Sequence, residues 1–554
     1  MSEILFQYEK VNPTTWAYLS SLLMIGLYFK FSRFWSVRNL DLLLLILLAP
    51  GLLLTYFGQE SALVTRAALQ HAHTQLAEQR AEAEAQAAEA ERQRREAGAT
   101  REPARDANSD SSSQDDASAD PSSGTPPPDE PPAPRVAQAT TNEDAAAAGA
   151  EAEAEAVESP LAMAERQFAE AETKWKKARG VTAWGYMALL FVGGIFLVRL
   201  LLDPTMARRP LLEPNLSTGG LIFIACSMFV FLMANVITSV PTDDDLHGPR
   251  SAVALLSREA LPKEENGLSR HGPGYAVLNL LPSVPTMSLL NRETDPKNPQ
   301  DVYAIVAKVM AILSHFAVVF GIVVVGYRHF DNLKMGIGAA ALYLMLPYTA
   351  LMTGRIDHIL PAALLLWAVV SYRRPLVAGI FIGLAAGVVY YPVFLLPLWL
   401  SFYWQRGIWR FLAGVSATLG IMILSLMFVS SDWGEFQGNV QKMFGLWFPA
   451  RQGLGGIWGL GWDPVYRLPV LAAFIAISGT LAIWPAQKNL GTLLSCSAAI
   501  MVATQFWHPH GGGIYVAWYL PLMLLTIFRP NLEDRVALTV LAESWFARRD
   551  RKAA

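Results

Sequence analysis

The feature that most constrains this chain is a long succession of apolar runs, each closed by a charged turn or one containing Gly or Pro. A bilayer's hydrocarbon core, about 30 Å thick, takes roughly 20 apolar residues as a helix, and every backbone polar group inside it must be satisfied within the segment. Two such runs, 15–31 and 40–57, form an N-terminal hairpin. The others fall at 183–202, 218–240, 302–327, 335–352, 359–371, 376–389, 393–404, 408–429, 468–484, 493–506 and 514–528. The pattern predicts an all-α, polytopic transmembrane helical bundle of about 10–13 spans. Several runs are shorter than a full span, which is tolerated where a helix packs within protein or lines a cavity. Gly379, Gly383 and Gly387 repeat every four residues and so share one helix face, where small residues let a neighbouring helix approach closely.

Charge is scarce and unevenly placed. Charged residues make up 16% of the chain, against about 25% in a soluble domain, and they are concentrated between Gly58 and Gly180, which holds 37 of the 91. The net charge of −3 provides no basic field for nucleic acid, which is not expected as a partner. Cys226 and Cys496 sit in apolar runs and read as packing residues. Glu3 and Glu9 precede the first run and no small-residue cleavage site follows it, so that run is expected to remain as an anchor.

Four regions result: a transmembrane hairpin (1–58), an Ala/Glu-rich helical and disordered segment (59–180), a multi-span domain (181–530) and a cytoplasmic tail (531–554). Within the second, 60–97 reads as a solvated helix or weak coiled coil. The stretch 101–157 is rich in Ser, Asp and Pro and cannot bury enough apolar surface to offset its ordering entropy, so disorder is expected there. Residues 158–180 are amphipathic, and the two helical pieces could pair. This acidic arm would take a protein partner of unknown identity.

Cytoplasmic loops are enriched in Lys and Arg. Arg208 and Arg209, Arg328 and Lys334, Arg373 and Arg374, Arg406 and Arg410, and Lys488 occur in alternate loops, as does the tail with Arg535 and Arg548. The C-terminus is therefore expected on the cytoplasmic side, and the acidic, aromatic and histidine-bearing loops outside. The same alternation places 60–180 outside, although Lys174, Lys176, Lys177 and Arg179 run against the rule. A bacterial inner membrane fits this layout.

The outer loops hold the candidate chemistry. Asp243, Asp244 and Asp245 directly follow an apolar run; such carboxylates can act as a general base or hold a divalent cation. They can equally be a solvated helix-end loop. Arg355, Asp357 and His358 lie in a charged turn between two apolar runs, where Arg355 could hold a phosphate or simply pair with Asp357. His508 and His510 could bind phosphate or metal, but two histidines do not make a zinc site. In the loop 430–467, Trp458 and Trp462 could stack on a sugar ring or serve as interfacial anchors. His315, inside an apolar run, reads as a hydrogen-bonded core histidine more readily than as a site. No P-loop, H-E-x-x-H helix or nucleophile elbow is present.

Three features carry a family resemblance over residues 216–529. They are the outer-loop Asp243–Asp245 cluster directly after a span, the Leu346-Pro347-Tyr348 to His358 segment with its Tyr372–Pro375 turn, and the His508-Pro509-His510 stretch ahead of Tyr515, Trp518 and Pro521. In this layout the chain resembles the C superfamily of multi-spanning glycosyltransferases, especially the bacterial mannosyltransferase-like group that uses polyprenyl-phosphate sugars. The resemblance implies transfer from a lipid-phosphate sugar to an acceptor hydroxyl on the extracytoplasmic face. Asp243 or Asp244 would deprotonate the acceptor, and Arg355 with His508 or His510 would hold the leaving phosphate. No cofactor is implied; a divalent cation is compatible with the scheme and not required by it. The alternatives are a transporter or channel, which would need more ionisable residues inside its spans than Lys308 and His315, and a non-catalytic scaffold with an acidic spacer arm.

Overall fold

Several helices in this protein start where the sequence supplies a side-chain acceptor or a proline. Asn12 accepts from Thr14 N at 3.0 Å to open α1 (Pro13–Tyr28), whose first residue is a proline. Such caps satisfy backbone donors that a helix leaves unpaired in its first turn. Ser217 opens α4 (Thr218–Thr238) and Asn332 opens α8 (Leu333–Met345) in the same way. Asn489 and Thr492 cap each other reciprocally at the start of α16 (Leu490–Trp507). Prolines open the short α9 (Pro347–Leu351) and α11 (Pro375–Val388), where a missing N–H is harmless.

The computed structural model describes residues 11–99, 159–206, 212–257, 271–290, 299–430, 432–444, 453–486 and 488–530. The remaining helices are α2 (Val37–Ala99), α3 (Pro160–Leu202), α5 (Asp243–Ser257), α6 (Pro273–Leu290), α7 (Pro299–Arg328), α10 (Ile356–Val370), α12 (Leu396–Tyr403), α13 (Ile408–Val429), α14 (Trp433–Phe444), α15 (Arg467–Ile483) and α17 (Leu520–Phe528). Among the described residues there is no strand, and the protein is an all-α polytopic chain. The stretch 101–157 and the tail 531–554, for which disorder and a cytoplasmic location were expected, lie outside the described residues.

The chain divides into two compact units, Gln59–Arg179 and the remainder. In the smaller unit the two helical stretches touch through Arg80 and Glu165 at 3.1 Å and through the rings of His73 and Phe168. Both members of the ion pair are exposed, so it contributes little to stability.

The larger unit holds the bundle. Among the described residues, seven helices are long and apolar enough to cross a membrane: Val37–Glu96, Pro160–Thr205, Thr218–Thr238, Val302–Arg328, Ile408–Met427, Pro464–Ile483 and Leu490–Trp507. Four shorter apolar helices accompany them: Leu333–Met345, Ile356–Val370, Pro375–Val388 and Tyr391–Tyr403. The sequence reading differs from this in several places. The run 335–352 breaks at Leu346, ahead of Pro347, into two helices. The run 514–528 is a 3-10 turn, Val516–Trp518, followed by the nine-residue α17. The runs 40–57 and 183–202 continue without interruption into their polar neighbours, because nothing but isolated glycines separates them.

The short helices α8 and α10 and the membrane-length α16 are the most buried. Nearly every residue of α8, α10 and α16 is buried. The glycine stripe of α11 packs on α13 as its spacing predicts. A Cβ at Gly379 would meet the carbonyl oxygen of Phe411, one at Gly383 would meet Thr418 and Val415, and one at Gly387 would meet the Met422 side chain.

Away from these contacts, buried ions tie chain segments together. Arg199 grips the Asp41 carboxylate with Nε at 2.9 Å and Nη2 at 3.1 Å, and reaches Asp203 with Nη1 at 3.0 Å. Arg529 completes the set by donating to Asp203 at 2.6 Å. Charges this deeply buried persist only when paired. His315 is a satisfied core residue: its Nε2 lies 3.0 Å from the Thr353 carbonyl and its Nδ1 3.1 Å from the Tyr343 hydroxyl. Lys308 is spent on the Ile237 carbonyl at 2.7 Å.

Candidate functional site

The loop 241–301 contains helical structure that the sequence reading passed over. Thr242 caps α5, and its backbone N–H and hydroxyl both donate to Asp245 Oδ2, at 3.0 and 2.6 Å. Asp243, Asp244 and Asp245 therefore form the first turn of a helix, where the macrodipole favours negative charge. A helix turn points them in different directions. Asp243 faces solvent with its side chain 90% exposed, bound to Arg250 at 3.1 Å. Asp245 faces inward with its side chain 7% exposed, and Asp244 is half exposed between them.

Asp244 and Asp245 meet Arg355, the residue that caps α10. Its Nη2 lies 3.2 Å from Asp244 Oδ2, and its Nε lies 3.6 Å from Asp245 Oδ1. The same guanidinium bonds Asp357, Nε to Oδ1 and Nη2 to Oδ2, each at 3.3 Å. Three carboxylates thus share one arginine whose planar fork can serve several oxygens at once. Asp357, followed by Asp245 and Asp244, holds that arginine firmly protonated. Burial raises the Asp245 carboxyl above its usual range, and Arg355 and Thr242 only partly oppose the shift.

The cluster continues into the aromatic core. His358 Nε2 is 3.8 Å from Asp357 Oδ2, and its Nδ1 is 2.7 Å from the Tyr348 hydroxyl. Its ring packs on Tyr515 at 4.5 Å between centroids, and Tyr515 packs on His508 at 4.6 Å. Trp518 stacks on Tyr515 and donates its indole N–H to the Asp357 carbonyl at 3.1 Å, which fixes the start of α10. Tyr391 lies against both His508 and Trp518.

Most of the residues singled out from sequence therefore form one contiguous chain of contacts, from Asp244 and Asp245 through Arg355, Asp357 and His358 to His508. His510 stands at its edge. Its ring lies 6.1 Å from that of His508, and its backbone N–H donates to His508 Nδ1 at 3.1 Å. Trp458 donates to the Phe506 carbonyl at 3.1 Å, and Gly455 N–H donates to the Pro509 carbonyl at 2.7 Å. These two bonds dock the turn Gly456–Leu460 onto the histidine segment. Gly456 has φ of +60°, and a Cβ there would come within 2.5 Å of Gly511 Cα, so only glycine allows this approach. Trp462 is 58% exposed, and none of its described contacts reaches the cluster. Among the described residues no group of three or more His, Cys, Asp and Glu side chains is arranged to hold a metal ion.

Sequence reading missed Tyr275 and His271, which precede and open α6. The His271 ring stacks on Tyr275 at 4.2 Å and faces His247 at 5.5 Å. Tyr275 and His271 lie in the connection between the apolar runs 218–240 and 302–327, where the structure has a helix that contains Pro282 and Pro285.

The all-helical fold with its seven membrane-length helices defines a multi-pass membrane protein. Within it, residues 300–525 match the family model of glycosyltransferase family 87. The matched region carries Arg355, Asp357, His358, Trp458, Trp462, His508 and His510, and begins after the three aspartates that Arg355 binds. No curated protein matches the chain.

Proposed function

We propose that this protein is a membrane glycosyltransferase of the C-superfamily type, which moves a sugar from a polyprenyl-phosphate donor to an acceptor hydroxyl on the extracytoplasmic face. The convergence of Asp244, Asp245 and Asp357 on Arg355 supports the reading most strongly, because it joins the outer-loop carboxylates to the family-matched region. In this scheme the acceptor oxygen attacks the anomeric carbon. Its proton passes to Asp245, whose raised pKa suits a general base. The bond from the anomeric carbon to the phosphate oxygen breaks, and the lipid phosphate leaves toward Arg355. The described bonds of Arg355 use Nε and Nη2, which leaves Nη1 for a phosphate oxygen. In the same scheme His508, packed on Tyr515, donates to the leaving phosphate, and His510 and Trp458 support the histidine segment. Asp243, turned to solvent, has no part in the chemistry. The scheme needs no cofactor, and the bilayer delivers the donor.

The test is transfer by the purified protein in nanodiscs, with farnesyl-phosphate-linked mannose, glucose or arabinose as donors and octyl glycosides as acceptors. Asp245→Asn should abolish transfer and Asp243→Asn should leave it within about twofold of wild type. Equal activity of the two variants would rule out the carboxylate role.

A further inference from the structure

Tyr275 is 1% exposed, yet its hydroxyl has no hydrogen-bond partner among the described residues. Asn279, one helical turn later on the same face of α6, is fully buried, and its Oδ1 is likewise without a partner among them. Asp245 Oδ1 is the third such atom in this region; it has only the longer ion pair with Arg355. Buried polar atoms without partners are few in native proteins, and each one is costly. These three atoms lie on the packed helices α5 and α6, one of them on the candidate general base, and they call for a partner that the described residues do not supply.

The helices α5 and α6 pack closely at these residues. A Cβ at Gly248 in α5 would lie 2.7 Å from Tyr275 Cε1 and 2.6 Å from Asn279 Nδ2, so glycine makes room for both side chains. His271 stacks on the Tyr275 ring and fixes its plane. The Asn279 amide is held by its Nδ2, which donates to the Tyr275 carbonyl at 2.8 Å.

The charges around these atoms define what they accept. Burial first, and then Asp357 and Asp245, push the Tyr275 phenol well above the usual tyrosine range. The phenol is therefore a neutral donor at any working pH. A sugar hydroxyl fits: it accepts from Tyr275 Oη and donates to Asn279 Oδ1.

Building on the transferase reading above, we infer that Tyr275 and Asn279 bind a hydroxyl of a saccharide acceptor and set the acceptor's orientation toward Asp245. Tyr275→Phe tests this with little disturbance, since the ring and its stacking on His271 remain. With octyl glycosides as acceptors in nanodiscs, the acceptor KM should rise about tenfold while kcat and the donor KM stay within about threefold. The thermal midpoint of the unliganded protein should be equal to or above that of wild type, because the variant removes an unpaired polar atom. A wild-type acceptor KM in Tyr275→Phe would overturn the inference and leave the transferase reading intact. A lowered midpoint would overturn it as well, by showing that the hydroxyl has a structural partner. Should wild type transfer no sugar from any of the donors, the transferase reading fails and this assignment fails with it.

Discussion

The Arg355 guanidinium donates to the Asp244 carboxylate across 3.2 Å, although the two residues stand 111 positions apart in the chain. The bond joins the first turn of α5 to the cap of α10. Arg355→Lys keeps the charge but loses the fork that serves Asp244 and Asp357 together. Transfer should fall about a hundredfold in kcat/KM, whereas Arg373→Lys, in a loop away from the cluster, should stay near wild type. A series of initial rates with the purified variants checks both.

The buried Asp245 gives a pH signature. Its carboxyl is raised, chiefly by burial, so the base is lost as pH falls through a value above the ordinary carboxylate range. The acid limb of kcat/KM should lie correspondingly high. Arg355 opposes the shift, so Arg355→Gln should move the limb further toward neutrality in whatever activity remains.

Stability responds to Asp245 with the opposite sign from activity. A carboxyl whose folded pKa is raised contributes stability that is present below its unfolded pKa and lost as pH rises through the folded value. Ionised Asp245 is therefore a net cost at neutral pH. Asp245→Asn, inactive in transfer, should melt no lower than wild type at neutral pH, by differential scanning fluorimetry in detergent.

The Asp203 network should behave in the opposite way. Arg529→Met leaves buried Asp203 with Arg199 as its partner in the described network, and removing one member of a buried pair costs about 3–5 kcal/mol. The thermal midpoint should drop, and Asp203→Asn in the Arg529→Met background should recover part of the loss.

Packing along α11 has no room for growth. Gly379→Val would drive a side chain into the Phe411 carbonyl and the backbone of Val415. Overpacking of this kind costs about 1–3 kcal/mol and more where backbone obstructs. The yield of monodisperse protein in size-exclusion chromatography should fall sharply, while Gly420→Ala, with open space around it, should express normally.

Much of this arrangement could be read from local patterns. The glycine stripe was legible because a spacing of four residues maps directly onto one helix face. Arg355, Asp357 and the three aspartates stood out as charges abutting apolar runs, where ionisable groups are costly. Their meeting was not legible, since nothing local says that position 244 folds against position 355. Tyr275 and Asn279 escaped notice for another reason. Each is an ordinary residue in a proline-containing stretch, and only three-dimensional packing reveals that the Tyr275 hydroxyl and Asn279 Oδ1 lack partners among the described residues. Helix lengths failed where polarity changed without a breaker. The apolar run 40–57 and its charged continuation are one helix, because Gly58 alone does not end it.

The short helices α10 and α11 have a consequence for biosynthesis. At 15 and 14 residues they are about 22 Å long, well under the roughly 30 Å of a bilayer core. Neither can settle into lipid alone as it leaves the ribosome. Each has to be received by partners already in place, with α7 made before both and α13 after them. Assembly of the Arg355 turn, which opens α10, is therefore tied to the late arrival of α13. A ribosome stalled before residue 408 would release a chain whose α10 and α11 have no lateral cover, a ready substrate for membrane quality-control proteases.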